Sequence, residues 1–589
     1  MSALVSSLSI AFLQEGYRNS RFAPSDVVHA IYKRIQEAGK RPIWIETVPL
    51  ESMLARAAAL EANPSARNLP LYGIPFAVKD NIDVAGMPTT AGCPAYAYAP
   101  AVNAFVVQRL LDVGAILVGK TNLDQFATGL VGVRSPYGAC SSAFDKRYIS
   151  GGSSSGSAVA VAKSLVSFSL GTDTAGSGRV PAAFNNLVGM KPTRGLLSMS
   201  GVVPACRSLD CVSVFATSAS DSKNVLAAVA SPDVSDWSSR EREVGDGASP
   251  WLSGRFRFGV PPLSQLEFFG DTAAASLFAT AIARMESIGG VPAEMDYAPF
   301  LETAQLLYSG PWVAERLAAI EPFLRSNPDA IHPVVRSIIQ GAAKHTAVDA
   351  FRAAYRLQGL KRDAESEWAK MDVLLLPTTG TTYMIEQVEA DPVQLNTNLG
   401  YYTNFVNLMD LAAVAVPAGF RENGLPFGVS LIGRAFSDNA LLHLAGRFLG
   451  EAASEPETPG CIPIAVLGAH LEGQPLNKQL TSRGARLMKT CRTAADYRFY
   501  ALRDTKPPKP GLVHEPGFHG PGIEVEIWAV PEHTFGSFVA EVPPPLAIGN
   551  ARMDDGSWMK CFVCEPYAVY GSKEITALGG WRVYLKEIQ

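Results

Sequence analysis

Residues 151–179 read GGSSSGSAVAVAKSLVSFSLGTDTAGSGR, and no other stretch restricts the fold of this 589-residue chain as tightly. Glycine- and serine-rich loops bracket a small-residue run, Ala158 to Ala162, and an apolar run, Leu165 to Leu170. The order predicts loop, helix, strand, loop. Short side chains let backbones approach closely, and glycine reaches the positive φ angles that tight turns need. A flexible Gly/Ser linker would lack the apolar segment. Two loops rich in hydroxyls and backbone N–H groups suit chemistry that develops an oxyanion.

The flanking sequence alternates short apolar runs with helical patterns. Pro24 and Ser25 open a helix with Val28, Ile31 and Ile35 on one face, stopping at Gly39, and a second helix covers Leu50 to Ala62 before Pro64. Ile74 to Val78 reads as a buried strand leading to Lys79. Phe105 to Val113 reads as a helix, Ala115 to Val118 as a strand, and Leu123 to Thr128 as the start of another helix. Residues 231–253 are polar and irregular, which predicts a surface insertion. Helices at 273–288 and 304–320 and strands at 373–376 and 412–417 complete an α/β domain with a central sheet. Proline and glutamate accumulate at 451–460, EAASEPETPG, and mark a boundary. The expected organisation is a main domain over 1–460, a linker over 461–482 and a smaller α+β domain over 483–589. Strands are expected in that tail at 523–530, 561–564 and 581–585.

A formal net charge of −4 with 18% charged residues gives no footprint for nucleic acid or an anionic membrane. The opening MSALVSSLSIAFLQEGYRNS has no Lys or Arg ahead of its apolar part and is interrupted by Gln14 and Glu15. Neither a signal peptide nor a membrane span is expected. Eight scattered cysteines argue against a disulfide scaffold and for a reducing cytoplasm.

Several short motifs have ordinary explanations. GAILVGKT at 114–121 satisfies a phosphate-loop pattern, but its four middle residues are apolar like a buried strand, whereas a phosphate loop needs polar, turn-forming backbone. GSSSG at 152–156 fits a nucleophile elbow on Ser154, yet FDKRYIS before it is a poor buried strand. Cys561 and Cys564 form a lone CxxC with no second pair for zinc and read as buried thiols. His514 and His519 read as surface or structural residues.

GGSSSGSAVAVA followed by GTDTAGSGRVPAAFNNLVGMKPTRG, with GIPFAVKDNIDVAGMPTT upstream, closely resembles the amidase signature family. The likeness is dense over about 68–204 and weaker out to Ile432. It implies a central mixed sheet surrounded by helices, no cofactor or metal, and acyl transfer by a serine nucleophile, a bridging serine and a lysine. By motif these are Ser177 in TAGSGR, Ser153 after the paired glycines and Lys79 in VKD, with the peptide before Ser153 in the cis form. The N–H groups of Thr174, Ala175, Gly176 and Ser177 are the expected oxyanion hole. Lys79 can act as a base only when neutral, whereas free lysine titrates near ~10.4. Burial at the end of an apolar strand would lower that value, and neighbouring Asp80 is expected to point away.

The tail segments GAHLEGQPLNKQL, RTAADYRFYAL, FGSFV, PPPLAIG and GGWRVYL resemble the C-terminal domain of the family's allophanate-hydrolase branch. Tyr308 and Arg316 in LLYSGPWVAER match that branch's substrate-binding pair, and their spacing would keep both on one broad helix face. The resemblance implies hydrolysis of allophanate (urea-1-carboxylate) to N-carboxycarbamate and ammonia, ending as ammonia and carbon dioxide. It also implies a link to a biotin-dependent urea carboxylase and a homodimer. His533 in PEHTFG is a candidate base in the tail. Two alternatives stand beside this reading. One is another amidase, such as the glutaminase component of a tRNA-dependent amidotransferase, and the other is a nucleotide-binding module built on GAILVGKT.

Overall fold

Eleven short strands, most of them buried end to end, form one mixed sheet in the computed structural model, which describes residues 5–39, 41–241, 255–451 and 461–588. They are β1 (Trp44–Thr47), β2 (Pro75–Lys79), β3 (Ile116–Thr121), β4 (Phe168–Asp173), β5 (Val188–Lys191) and β6 (Cys211–Ala216). β7 (Phe256–Val260), β8 (Gly290–Glu294), β9 (Val373–Pro377), β10 (Leu411–Phe420) and β11 (Pro426–Arg434) complete the set. Their spatial order is β1-β3-β2-β4-β6-β5-β10-β11-β9-β7-β8. β2 runs parallel to both β3 and β4, whereas β4 pairs antiparallel with β6. Helices cover the sheet because strands apolar on both faces need cover on both. Helix Pro24–Ala38 buries Val27, Val28 and Ile31 against the core and stops at Gly39, whose φ of +67° ends the helix.

Three expected elements form differently. Residues 123–128 do not start a helix. They make a single 3-10 turn, Gln125–Ala127, with positive φ at Phe126 and Ala127, because the Asp124 carboxylate draws the N–H groups of Val131, Gly132 and Arg134 back onto it. The helix expected over 304–320 is two helices, Ala298–Ser309 and Trp312–Ser326, broken at Gly310 and Pro311. Of the insertion expected at 231–253, residues 242–253 lie outside the described residues. Asp233 and Asp236 are buried, accepting from Ser198 Oγ at 2.6 and 3.3 Å.

The second unit is built around β12 (Cys461–Val466), β13 (Arg486–Arg492), β14 (Tyr497–Ala501), β15 (Pro510–His514), β16 (Glu524–Pro531), β17 (Leu546–Arg552), β18 (Trp558–Cys564) and β19 (Lys573–Glu574). Five form a sheet in the order β13-β16-β12-β18-β17, and three form another, β15-β14-β19. Residues 461–482 are therefore not a linker. β12 is the middle strand, and its Ile464, Ala465 and Val466 are buried in the core. Residues 581–585 are helical, within Trp581–Glu587, instead of extended. Trp581 is buried and Tyr584 and Leu585 pack beside it at helical spacing, while Val583 faces outward. Cys561 and Cys564 are buried thiols in β18. Among the described residues no helix is long and apolar enough to cross a membrane.

Candidate active site

Lys79 closes β2, and its side chain is wholly buried. Its Nζ lies 2.8 Å from Ser153 Oγ and 2.7 Å from Thr172 Oγ1. Thr172 stands on β4, the parallel neighbour of β2, so the pairing of the two strands carries its hydroxyl to the amine. Desolvation lowers the Lys79 pKa to about 7, against the opposing pull of Asp124, Asp210 and Asp173. Successive side chains of an extended chain leave opposite faces, and Asp80 accordingly turns away from Lys79. It pairs with Lys120 at 3.0 Å, with both side chains buried, and accepts the Thr90 N–H. Lys120 belongs to GAILVGKT. Residues 116–121 of that segment are strand β3, paired in the sheet, and the N–H groups of Gly114 and Ala115 donate back to the carbonyls of Leu111 and Leu110, so it forms no phosphate cradle.

Ser153 follows a cis peptide from Gly152 and leads into helix Ser155–Ala162. Its carbonyl accepts the Asp124 N–H at 3.1 Å. A Cβ on Gly152 would sit 2.1 Å from Asp124 Oδ2, so only glycine fits there. Ser154 is no elbow nucleophile: its Oγ donates to the Thr172 carbonyl at 3.0 Å and braces β4.

Ser177 is buried on the loop that leaves β4. Asp173 fixes this loop. Its Oδ1 accepts the Gly176 N–H at 2.9 Å and its Oδ2 the Gly178 N–H at 3.0 Å, while Arg179 closes a buried fork at 2.9 and 3.0 Å. Arg179 donates onward to the Thr403 carbonyl and to Asn407 Oδ1. Gly176 has φ +136°, and a Cβ there would meet Thr403 Oγ1 at 2.5 Å. The Gly176 N–H is thus engaged by Asp173 and leaves the expected oxyanion set. The N–H groups of Thr174, Ala175 and Ser177 have no acceptor among the described residues. Thr174 Oγ1 and the N–H groups of Ala205 and Cys206 donate to Asp210, whose burial raises its pKa to about 6.

Tyr308 and Arg316 lie on successive helices, not on one face of a single helix. The break at Gly310 and Pro311 folds them together, with the Arg316 guanidinium carbon 5.5 Å from the Tyr308 ring centroid. Arg316 is 2% exposed. Its Nη1 donates to Thr128 Oγ1 at 3.2 Å and to the Ala127 carbonyl at 3.4 Å. Its Nε has no partner, and it forms no ion pair among the described residues. Asp210 and Glu315 act on its charge only from a distance, and a buried cation with no carboxylate in contact can take up an anion. Arg316 also acts electrostatically on Lys79.

Sequence reasoning missed Thr172, Asp173 and Arg179, although all three stand inside the motif that located Ser177. Asn407 had no local signal. In the second unit a cavity of about 160 Å³ is lined by His470, Gln479, Lys506, Lys509, Glu541 and Phe562, among others. His470 Nε2 lies 2.8 Å from Gln479 Oε1 and the ring stacks on Phe562, while burial lowers its pKa. His533 falls within helix Glu532–Ala540, and its side chain lies outside the described residues. His514 is exposed beside Asp496.

The family model described as Amidase matches residues 26–442, and the one described as Allophanate hydrolase C-terminal domain matches 462–586. A solved structure of selenomethionine-substituted Kluyveromyces lactis allophanate hydrolase is 41% identical, with 99% of each chain covered and a TM-score of 0.82. Saccharomyces cerevisiae urea amidolyase is 44% identical over 93% of this chain, which spans only 31% of that relative's length. A glutamyl-tRNA(Gln) amidotransferase component from Symbiobacterium thermophilum is 34% identical over 74% of this chain and 95% of its own.

Proposed function

Because this chain belongs to the amidase family, we propose that Lys79, Ser153 and Ser177 carry out acyl transfer and that the amide attacked is allophanate. The observation that carries the substrate is Arg316, buried, unpaired by any carboxylate among the described residues, and close enough to influence Lys79. A small amide bearing its own carboxylate supplies the direct ion-pair partner that Asp210 and Glu315 do not, and a bidentate fork holds it in one orientation. Tyr308 hydrogen-bonds the ureido group from the neighbouring helix.

A serine hydroxyl is a weak nucleophile until a base takes its proton. Neutral Lys79 withdraws a proton from Ser153, which takes one from Ser177 as that oxygen attacks the terminal ureido carbonyl. The N–H groups of Thr174, Ala175 and Ser177 receive the developing oxyanion. The lysine ammonium returns its proton through Ser153 to the departing nitrogen, and ammonia leaves. Water then clears the acyl-enzyme by the same relay and releases N-carboxycarbamate, which loses carbon dioxide and ends as ammonia and carbon dioxide. The His470 cavity carries Lys506 and Lys509 against a single carboxylate, Glu541, on its wall, a balance that favours a small anion, and is the candidate site in the second unit where decarboxylation would be assisted. His470 stands beside His533 as a candidate base there.

Carboxylation of urea is one reaction that supplies this substrate and links the chain to a biotin-dependent urea carboxylase; triazine breakdown is the other source. A homodimer in the cytoplasm completes the reading, in keeping with eight cysteines that are all unpaired. Ammonia release from allophanate, measured beside biuret, malonamide and glutamine, tests the assignment. Turnover of allophanate alone, or far above the rest, is expected. Preference for glutamine would replace it with the amidotransferase reading.

A further inference from the structure

The loop over residues 124–132 is held in a shape that its own sequence does not favour. Phe126 and Ala127 have φ of +51° and +52°, the left-handed region in which side chains are strained. That shape aims the Ala127 carbonyl and the Thr128 hydroxyl at Arg316. Thr128 Oγ1 donates its proton to the Phe126 carbonyl at 3.2 Å, so its lone pairs are left to accept from Arg316 Nη1. From the other side, buried Arg134 donates Nη1 to the Thr128 carbonyl at 3.0 Å. One residue is gripped by two buried guanidiniums, through its hydroxyl and its carbonyl.

We infer that Thr128 is a specificity-determining positioning residue: its hydroxyl, polarised by the Phe126 carbonyl, holds one arm of Arg316 so that the remaining N–H donors face a substrate carboxylate. This rests on the reading of Arg316 as the carboxylate clamp and deepens it. Two N–H donors must sit in one plane to meet a carboxylate in a fork, and an arginine free to rotate would offer them one at a time. Valine has the shape of threonine but cannot accept, whereas serine keeps the acceptor.

Binding of malonate, a small dicarboxylate that the enzyme cannot hydrolyse, is measured by calorimetry on the full-length parent and on Thr128→Val, Thr128→Ser and Arg316→Ala. The expected result is about tenfold weaker binding for Thr128→Val, near-parental binding for Thr128→Ser, and none detectable for Arg316→Ala. In parallel, Thr128→Val should raise KM for allophanate while kcat and malonamide turnover stay within about twofold of the parent. Parental malonate affinity in Thr128→Val, or equal loss on charged and neutral amides, overturns the inference. Parental affinity in Arg316→Ala removes the clamp and the inference together. A parent that ignores allophanate but binds malonate through Arg316 and Thr128 sinks the substrate assignment while leaving the role of Thr128 standing.

Discussion

Lys79 Nζ lies 2.8 Å from Ser153 Oγ, across 74 residues of sequence and out of contact with solvent. The same burial that makes the amine a usable base costs it its charge, since an ammonium ion away from water is disfavoured. Three carboxylates, on Asp124, Asp210 and Asp173, pull in the opposite direction, and the pKa settles at about 7. A base poised there accepts a proton readily and can still return it.

The pH dependence follows from that value. The neutral amine is the active form, so kcat/KM should rise with pH through about 7 and level off above it. At pH 6 only about a tenth of the molecules would hold the free amine. A profile flat from about pH 5.5 to 8 would count against Lys79 as the base.

Arg316→Ala should lower kcat/KM for allophanate by about 10²–10³, because a charge-assisted fork is lost, while malonamide turnover changes less than about fivefold. Ser177→Ala should lower kcat on both substrates by about 10⁴ or more. Steady-state kinetics on the two amides separate the roles. Equal losses on both in Arg316→Ala would show that it does not read the carboxylate.

Gly176→Ala meets two obstacles, a φ of +136° and Thr403 Oγ1 at 2.5 Å from the new Cβ. The variant should lose about 1–3 kcal/mol of stability, with a fall in kcat as the Ser177 loop shifts. Urea unfolding and initial rates check this, and a variant with parental values in both would show that the loop tolerates a side chain.

The buried Asp80–Lys120 pair gives a stability cycle. Lys120→Met leaves a carboxylate without its cation and should cost about 3–5 kcal/mol, whereas adding Asp80→Asn should recover much of that loss. Neither variant should change nucleotide affinity, because the parent is expected to have none. If the double variant were as unstable as the single one, the pair would not be coupled.

Local pattern and tertiary packing contributed differently to this protein. Strand Pro75–Lys79, helix Leu50–Ala62 and the order of elements through 151–179 were legible because each depends on neighbours in sequence: apolar runs, small residues, a proline or glycine at an end. The reading failed at 123–128, where one side chain, Asp124, overrode helical periodicity by capturing three N–H groups further along. It failed again at 304–320, where Gly310 and Pro311 interrupt an otherwise helical pattern. At 581–585 the run WRVYL fits both a strand and a helix, and burial of Trp581 beside Tyr584 and Leu585 decides for the helix.

Taken alone, the sequence determined which segments could be strands and helices and which loops could bring backbone close to a reacting group, since φ preferences and apolar spacing act over a few residues. Only the folded sheet decided that Thr172, 93 residues on, would share the Lys79 amine with Ser153. The folded chain likewise brought Asn407 to the arginine that braces the Ser177 loop and left Arg316 buried with its Nε unpartnered and no carboxylate in contact among the described residues. Those contacts depend on strand pairing and on helices meeting across the core, and no local pattern carries that information.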